Sequence, residues 1–418
     1  KMKKVLKTDF TLSGVYDKNN PNIDFSLVNM NLGILENDNL VKLEKFDDMK
    51  FNLSKTDDMI VFKNYGKKVL YFTTSKSETV IKFYNQGETV FDALVTSQKK
   101  DLNGRIIFSK FPVNSLYKVV YPYVGIENGL LDGTLELKGN TKFPELYGRL
   151  NLYYGVVNLP QYLQEKIVNI TGIIVADKNR FFVNNVNGQV RNGNAHGYGE
   201  VVFNGLKFEH YIFRISSDMV PALINAGPID ARGIGKVENF TIEGGDGVYN
   251  FIADLMIDDA EVNLSGLMGS GQNKKNREKK TLPINVLINF KAGKRVNINY
   301  PLVKGTVKPN DILTLKYIGS EPNIYLGGDI NLYKGDIFYF NKTFKIEQAS
   351  LSFDDDSNSI NPVVNIKSFY RTKDTKGESV KITLTLLDKL LSFKTDFSAF
   401  PYKTQDEIQG LLGLGVSS

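Results

Sequence analysis

The 418-residue sequence contains no cysteine, no tryptophan and only two histidines, and no apolar run in it approaches the ~20 residues of a membrane-spanning helix. Without cysteine, a disulfide framework, a thiolate metal site and a thiol nucleophile are all excluded. His196 and His210 lie among Asn, Gly and Phe, away from any carboxylate motif, which leaves general-base and metal chemistry without a recognisable centre. No Gly-x-Ser-x-Gly elbow occurs. The glycines at 269–271 and 410–415 are not phosphate loops, because neither follows a strand and ends in Gly-Lys-Ser/Thr. Asp354, Asp355, Asp356 and Asn358 look like the start of a calcium loop, but Ser359 stands where the loop needs glycine and Asn365 where it needs glutamate. A solvated hairpin tip is expected there. The chain is read as not an enzyme, with no cofactor.

Charge of one sign is also lacking. The 52 basic and 46 acidic residues are intermixed, and the net charge of +6 forms no basic block, so a nucleic-acid partner is not expected. Lys1, Lys3 and Lys4 are followed by a segment that Lys7 and Asp9 interrupt, which is not a signal-peptide core. Together with the end at Ser418, this suggests a segment of a longer chain.

What is present is period-two alternation, sustained almost throughout. Hydrophobic residues make up 42% of the chain, enough for a sizeable core. Phe10, Leu12, Gly14 and Tyr16 alternate with polar neighbours, as do Leu131, Gly133, Leu135 and Leu137. The alternation is strongest late in the chain, at Ile284, Val286, Ile288 and Phe290 and at Val380, Ile382, Leu384 and Leu386. Turn residues at short intervals make these consecutive antiparallel strands. Long amphipathic helices are not visible. Short helical turns are expected at 115–121, 160–167 and 218–225, and a two-turn helix after the Thr404-Gln405-Asp406-Glu407 capping box. The chain reads as an N-terminal β-repeat segment (1–128), a second β-repeat segment (129–265), a Gly- and Lys-rich mobile loop (266–280) and a C-terminal region (281–418), all in one continuous sheet.

One unit recurs. Gly-Asp-Ile-Asn-Leu-Tyr-Lys-Gly at 328–335 matches Gly-Arg-Leu-Asn-Leu-Tyr-Tyr-Gly at 148–155, with a weaker copy at 253–260 in which Ala253 and Ala260 replace the glycines around Leu255 and Ile257. Repetition of one β-unit points to an extended surface rather than a pocket. Each strand has an apolar face with no helix to cover it. That face must pack on another sheet, close into a barrel, or be covered by a ligand.

From Leu282-Pro283-Ile284-Asn285 through Gly327-Gly328-Asp329-Ile330-Asn331-Leu332, Asn361-Pro362 and Phe400-Pro401 to Gln405, Glu407, Ile408 and Leu411-Leu412-Gly413, the order and spacing resemble the C-terminal domain of the TamB family. Phe400 departs from the family's usual serine before that proline. The resemblance implies an all-β fold: a long, curved, antiparallel-rich sheet forming an open, taco-like trough with an apolar concave face and few short helices. It implies a bridge that moves phospholipids through the periplasm between inner and outer membranes, supporting outer-membrane biogenesis. In the family, linked to the translocation and assembly module, an N-terminal helix anchors the chain in the inner membrane and the C-terminal end meets a BamA- or TamA-type barrel; both contacts would lie outside this segment. The acyl chains would lie against Leu135, Leu137, Leu150, Leu152, Leu255, Ile257, Ile284, Val286, Ile288, Phe290, Val296, Ile298, Ile330, Leu332, Val380, Ile382, Leu384, Leu386, Phe393 and Phe397. The alternatives are an assembly factor sheltering outer-membrane β-barrel or autotransporter strands, and a closed sandwich in which these residues are plain core.

Overall fold

The computed structural model describes every residue except 1, 16–20, 37–38, 46–47, 115–124, 159–164, 227–228, 246, 264–283, 301, 320, 355–360 and 414–418. The expected turn at 115–121, most of that at 160–167, the loop at 266–280 and most of the acidic run at 354–358 lie outside the described residues. The architecture is all-β: strands of up to 20 residues follow one another almost without interruption. Among the described residues the one complete helix is Gln405–Leu412.

Contacts between Cα atoms divide the chain into two compact units, one of residues 1–158, 167–188 and 198–210, the other of 159–166, 189–197 and 211–418. In the first, successive strands from Met49–Thr56 to Ile167–Lys178 pair with their sequence neighbours in antiparallel register. In the second, the same meander runs from Glu321–Tyr339 through Lys342–Phe353, Val363–Lys373 and Ser379–Lys389 to Lys394–Phe400. One pairing breaks the meander. Val248–Asn263 runs parallel to Ile284–Tyr300. Rows of polar side chains tie this junction together: Asn289 Nδ2 donates to Asp254 Oδ1 at 2.8 Å and Asn289 Oδ1 accepts from Thr314 Oγ1 at 2.9 Å. A second row links Glu261, Asn297 and Thr306.

The helical turn expected at 218–225 is instead part of the strand Lys207–Ala226. Asp218 and Pro221 offer a local helix start, but the backbone of Met219 lies against Gly193 of the preceding strand, and Val220 is buried. Burial and ladder contacts outweigh the cap. The C-terminal helix forms where the capping box places it: Thr404 Oγ1 accepts from Glu407 N at 3.4 Å, and Thr404 N donates to Glu407 Oε2 at 2.8 Å. Gly413, at φ 77°, closes it in the left-handed conformation.

The candidate apolar face

The recurring unit acquires a structural meaning from its odd length. Gly148 and Gly155 are seven residues apart, so perfect alternation would turn them to opposite faces. A bulge intervenes. Leu152 pairs with Gly172 but Gly155 pairs with Ile170, three residues against two, and Tyr154 takes φ 53°. Tyr153 and Tyr154 are therefore both exposed, and the inward face resumes at Gly155. The 328–335 copy repeats this: Leu332 and Lys334 face Val307 and Thr306, two residues against one, with Tyr333 and Lys334 both exposed. In the third copy Ile234 and Gly235 pair with Asp259 and Ile257, leaving Asp258 as the extra residue.

The same face continues through the first unit. Phe91 pairs with Phe108, Phe108 with Gly133, Gly133 with Leu150 and Leu150 with Ile174. The adjacent row is Ala93, Ile106, Leu135, Gly148 and Ala176. Leu135 and Leu150 are buried because each side chain lies across the glycine opposite it. Nearer the N-terminus, Phe25 stacks on Phe51 at 4.9 Å between ring centroids and Phe51 on Phe62 at 5.4 Å. Phe51, Phe62, Phe72, Phe83, Phe91 and Phe108 are all half-buried, large apolar rings that keep part of their surface in solvent. Phe111 joins Phe108 on this face although it lies an odd three positions further on, because Lys110 is a bulge residue at φ 47° whose N–H donates to Asp132 Oδ1 at 2.8 Å.

The C-terminal end is different. Val380, Ile382 and Leu384 are wholly shielded (0% exposed), and they form one cluster with Ile330, Leu332, Ile337, Phe344, Ile366 and the helix residues Ile408 and Leu412. Strands Lys342–Phe353 and Lys394–Phe400 are separated by two others, about 14 Å in a flat sheet. Yet the rings of Phe344 and Phe397 are 6.4 Å apart, and Tyr339, one strand further away, is 6.1 Å from Phe397. The sheet therefore curls here until its aromatic side chains meet above Ser368, Ile382 and Leu384. The helix is held down by Lys403 Nζ on Asp374 Oδ2 at 2.9 Å and by Gln405 Nε2, which donates to the backbone carbonyl of Phe397 at 2.9 Å. Lys403 holds the Asp374 carboxyl below its ordinary range, and the cap hydrogen bonds do the same for Glu407. Burial pushes the Tyr300 phenol up.

The twenty residues expected to line the trough thus divide. Leu137, Leu152, Leu255, Ile257, Ile284, Val286, Ile288, Phe290, Ile298, Phe393 and Phe397 are half-buried. Leu135, Leu150, Val296, Ile330, Leu332, Val380, Ile382, Leu384 and Leu386 are covered by protein. The last seven belong to one cluster with the helix residues Ile408 and Leu412, covered by the curled sheet and its helix. The phenylalanine rows at 51–111 are the part of the face that the expectation passed over; period-two alternation marks them, but they lie outside the recurring unit. His196 and His210 are both exposed, and among the described residues no three His, Asp or Glu side chains converge as a metal site.

The family model of the TamB C-terminal domain matches residues 247–418, from the parallel junction through the curled sheet and the capping helix. That span is what the chain shares with the TamB family. No curated protein sequence matches it closely enough to count as a relative. The matched span includes the curled sheet with its wholly shielded core, while the half-buried phenylalanine rows lie N-terminal to it. No helix among the described residues is long and apolar enough to cross a membrane.

Proposed function

We propose that this chain is part of a conduit that carries phospholipids through the periplasm between inner and outer membranes. Acyl chains would lie along the half-buried apolar face at Phe51, Phe62, Phe83, Phe91, Phe108, Leu137 and Leu152, with headgroups in water. The observation that carries this reading is the row of phenylalanines whose rings remain partly open to solvent on one continuous sheet face. The energetic need is plain: a 16-carbon chain exposed to water costs on the order of 13 kcal/mol, at ~0.8 kcal/mol per CH₂. A strip of apolar rings offsets that cost at every step along the path. The periplasmic setting, an inner-membrane anchor and a BamA- or TamA-type barrel as outer-membrane partner belong to the same proposal and are supported by the match to the TamB C-terminal domain.

The test is a photoreactive residue at Phe62 or Leu152 in the full-length protein, with crosslinked phospholipid identified by mass spectrometry. Lipid adducts at both positions and none at the exposed Tyr154 support the conduit. Recovery of nascent β-barrel polypeptide at these positions, without lipid, replaces it with the assembly-factor reading. That alternative would use a free sheet edge to add strands. At the last strand, Gln405 occupies an edge carbonyl of Phe397, which obstructs addition there.

A further inference from the structure

A second surface lies at the end of the apolar face, at the tips of four successive hairpins in the first unit. These are the turns at 99–100, 140–143, 178–180 and 205–207. They are brought together physically: Asp101 bridges Asn140, and Thr141 N donates to the carbonyl of Lys100 at 3.2 Å. Phe203 N donates to the carbonyl of Asn179 at 2.9 Å, and Asn179 Nδ2 returns a bond to the Phe203 carbonyl at 2.7 Å. Gly205 lies against the backbone carbonyl of Lys142 and beside the Phe143 ring.

This rim combines two properties that a solvated turn does not need. Leu206 is 82% exposed, Phe208 70% and Phe143 57%. Phe208 packs on Phe203 at 4.7 Å between centroids and Phe203 on Phe181 at 5.5 Å, so the exposed side chains stand on an apolar base that fixes where they project. The four turns also carry Lys99, Lys100, Lys142, Lys178, Arg180 and Lys207, all exposed, and no carboxylate. Asp101, Asp177 and Glu209 stand behind them at the strand ends, and Arg180 is paired with Glu200. Among the described residues Lys142 and Lys207, which flank Phe143 and Leu206, have no ion-pair partner.

Leucine and phenylalanine projecting from a cationic rim match an interface whose outer layer is anionic and whose next layer is apolar. We infer that this rim docks on the surface of an anionic phospholipid bilayer, with Phe143, Leu206 and Phe208 entering the headgroup layer and the lysines contacting its phosphates. The charge complementarity selects a lipid surface over a second copy of the chain, whose identical rim would repel this one. The inference does not depend on lipid moving along the apolar face.

The test is flotation of the 418-residue chain with vesicles containing phosphatidylglycerol, compared with vesicles of phosphatidylcholine alone. Three variants accompany it: Leu206→Asp with Phe208→Asp, Lys142→Glu with Lys207→Glu, and Phe62→Asp on the apolar face. The expected result is binding to the anionic vesicles that weakens at high salt, falls at least about tenfold in each rim variant, and persists in Phe62→Asp. Circular dichroism melts of the rim variants should match the parent, since the altered side chains are exposed. Equal binding by parent and rim variants, or no binding by the parent, overturns the inference. Self-association that Leu206→Asp abolishes, without vesicle binding, overturns it in favour of a second copy.

Discussion

Leu135 lies across Gly148 of the neighbouring strand, its Cδ2 3.2 Å from where a β-carbon on Gly148 would stand, and Leu150 covers Gly133 in the same way at 3.0 Å. The two strands exchange a large residue for an absent one, twice, and this is what buries both leucines on a face that no helix covers. The glycines of the recurring unit are thus sockets for the adjacent strand. Gly148 also has φ 142°, and a β-carbon there would collide with the Thr134 carbonyl.

Gly148→Val is therefore expected to destabilise the first unit by about 2 kcal/mol or more, from backbone strain and overpacking together. Urea unfolding of the 418-residue chain should show the loss. Gly66→Val is the control: its β-carbon would meet nothing within 4 Å, although its φ of 138° still imposes strain. A difference between the two isolates the socket. Equal losses would mean that strain alone explains the glycine.

The two parts of the apolar face should respond oppositely to a buried charge. Leu384→Asp places a carboxylate in a site with no exposed surface, beneath the rings of Phe344 and Phe397, and should unfold the curled C-terminal sheet. Phe62→Asp, on a half-buried ring, should leave the melting transition nearly in place while removing lipid crosslinks. Loss of folding in both variants would show the phenylalanine rows to be closed core.

Acid should release the C-terminal helix. The Asp374 and Glu407 carboxyls titrate below their ordinary range, held there by Lys403 and by the cap hydrogen bonds of Thr404 respectively. A depressed carboxylate contributes stability that is complete above its unfolded pKa, about 4, and lost as pH falls through the lower folded value. Lys403, raised by Asp374, has the opposite sign: its contribution is complete below the unfolded lysine value and lost at higher pH. Protection of the Gln405–Leu412 amides against hydrogen exchange, relative to the intrinsic rate at each pH, should thus fall below about pH 4 and again in strong base, with the strands between 363 and 389 still protected. Asp374→Asn should remove most of both dependences.

Thr404→Ala tests the cap separately. It deletes the acceptor for Glu407 N and is expected to cost about 1 kcal/mol, read as faster exchange in the first helical turn. Because Ile408 and Leu412 anchor the helix in the core, it should fray at its N-terminus rather than detach.

Much of this was legible in the sequence, because its carriers are local. Strand alternation at Val380–Leu386 positions, the capping box at Thr404 and the proline opening Pro144–Asn158 each express themselves within a few residues. What escaped is non-local. The wholly shielded state of Leu384 depends on Phe344, 40 positions earlier in the sequence, and on curvature that the alternation of a single strand does not encode. The parallel pairing of Val248–Asn263 with Ile284–Tyr300 joins strands whose direction relative to each other no local pattern encodes. Phe108 and Phe111 share a face only because Lys110 bulges, and a strict period of two assigns them to opposite sides. Asp218 shows the converse, a local helix signal overridden by the strand beside it.

The bulge at Tyr154 sets a parity within its strand. Deleting Tyr154 itself would leave Leu152, Tyr153 and Gly155 in regular alternation, whereas deleting any regular residue of the strand would turn everything after it to the other face. Removing or adding a whole hairpin would leave every remaining face as it was. A chain assembled from such hairpins can change its length in evolution by whole steps while point insertions are punished, so related chains should differ in number of strands far more readily than in the spacing within one.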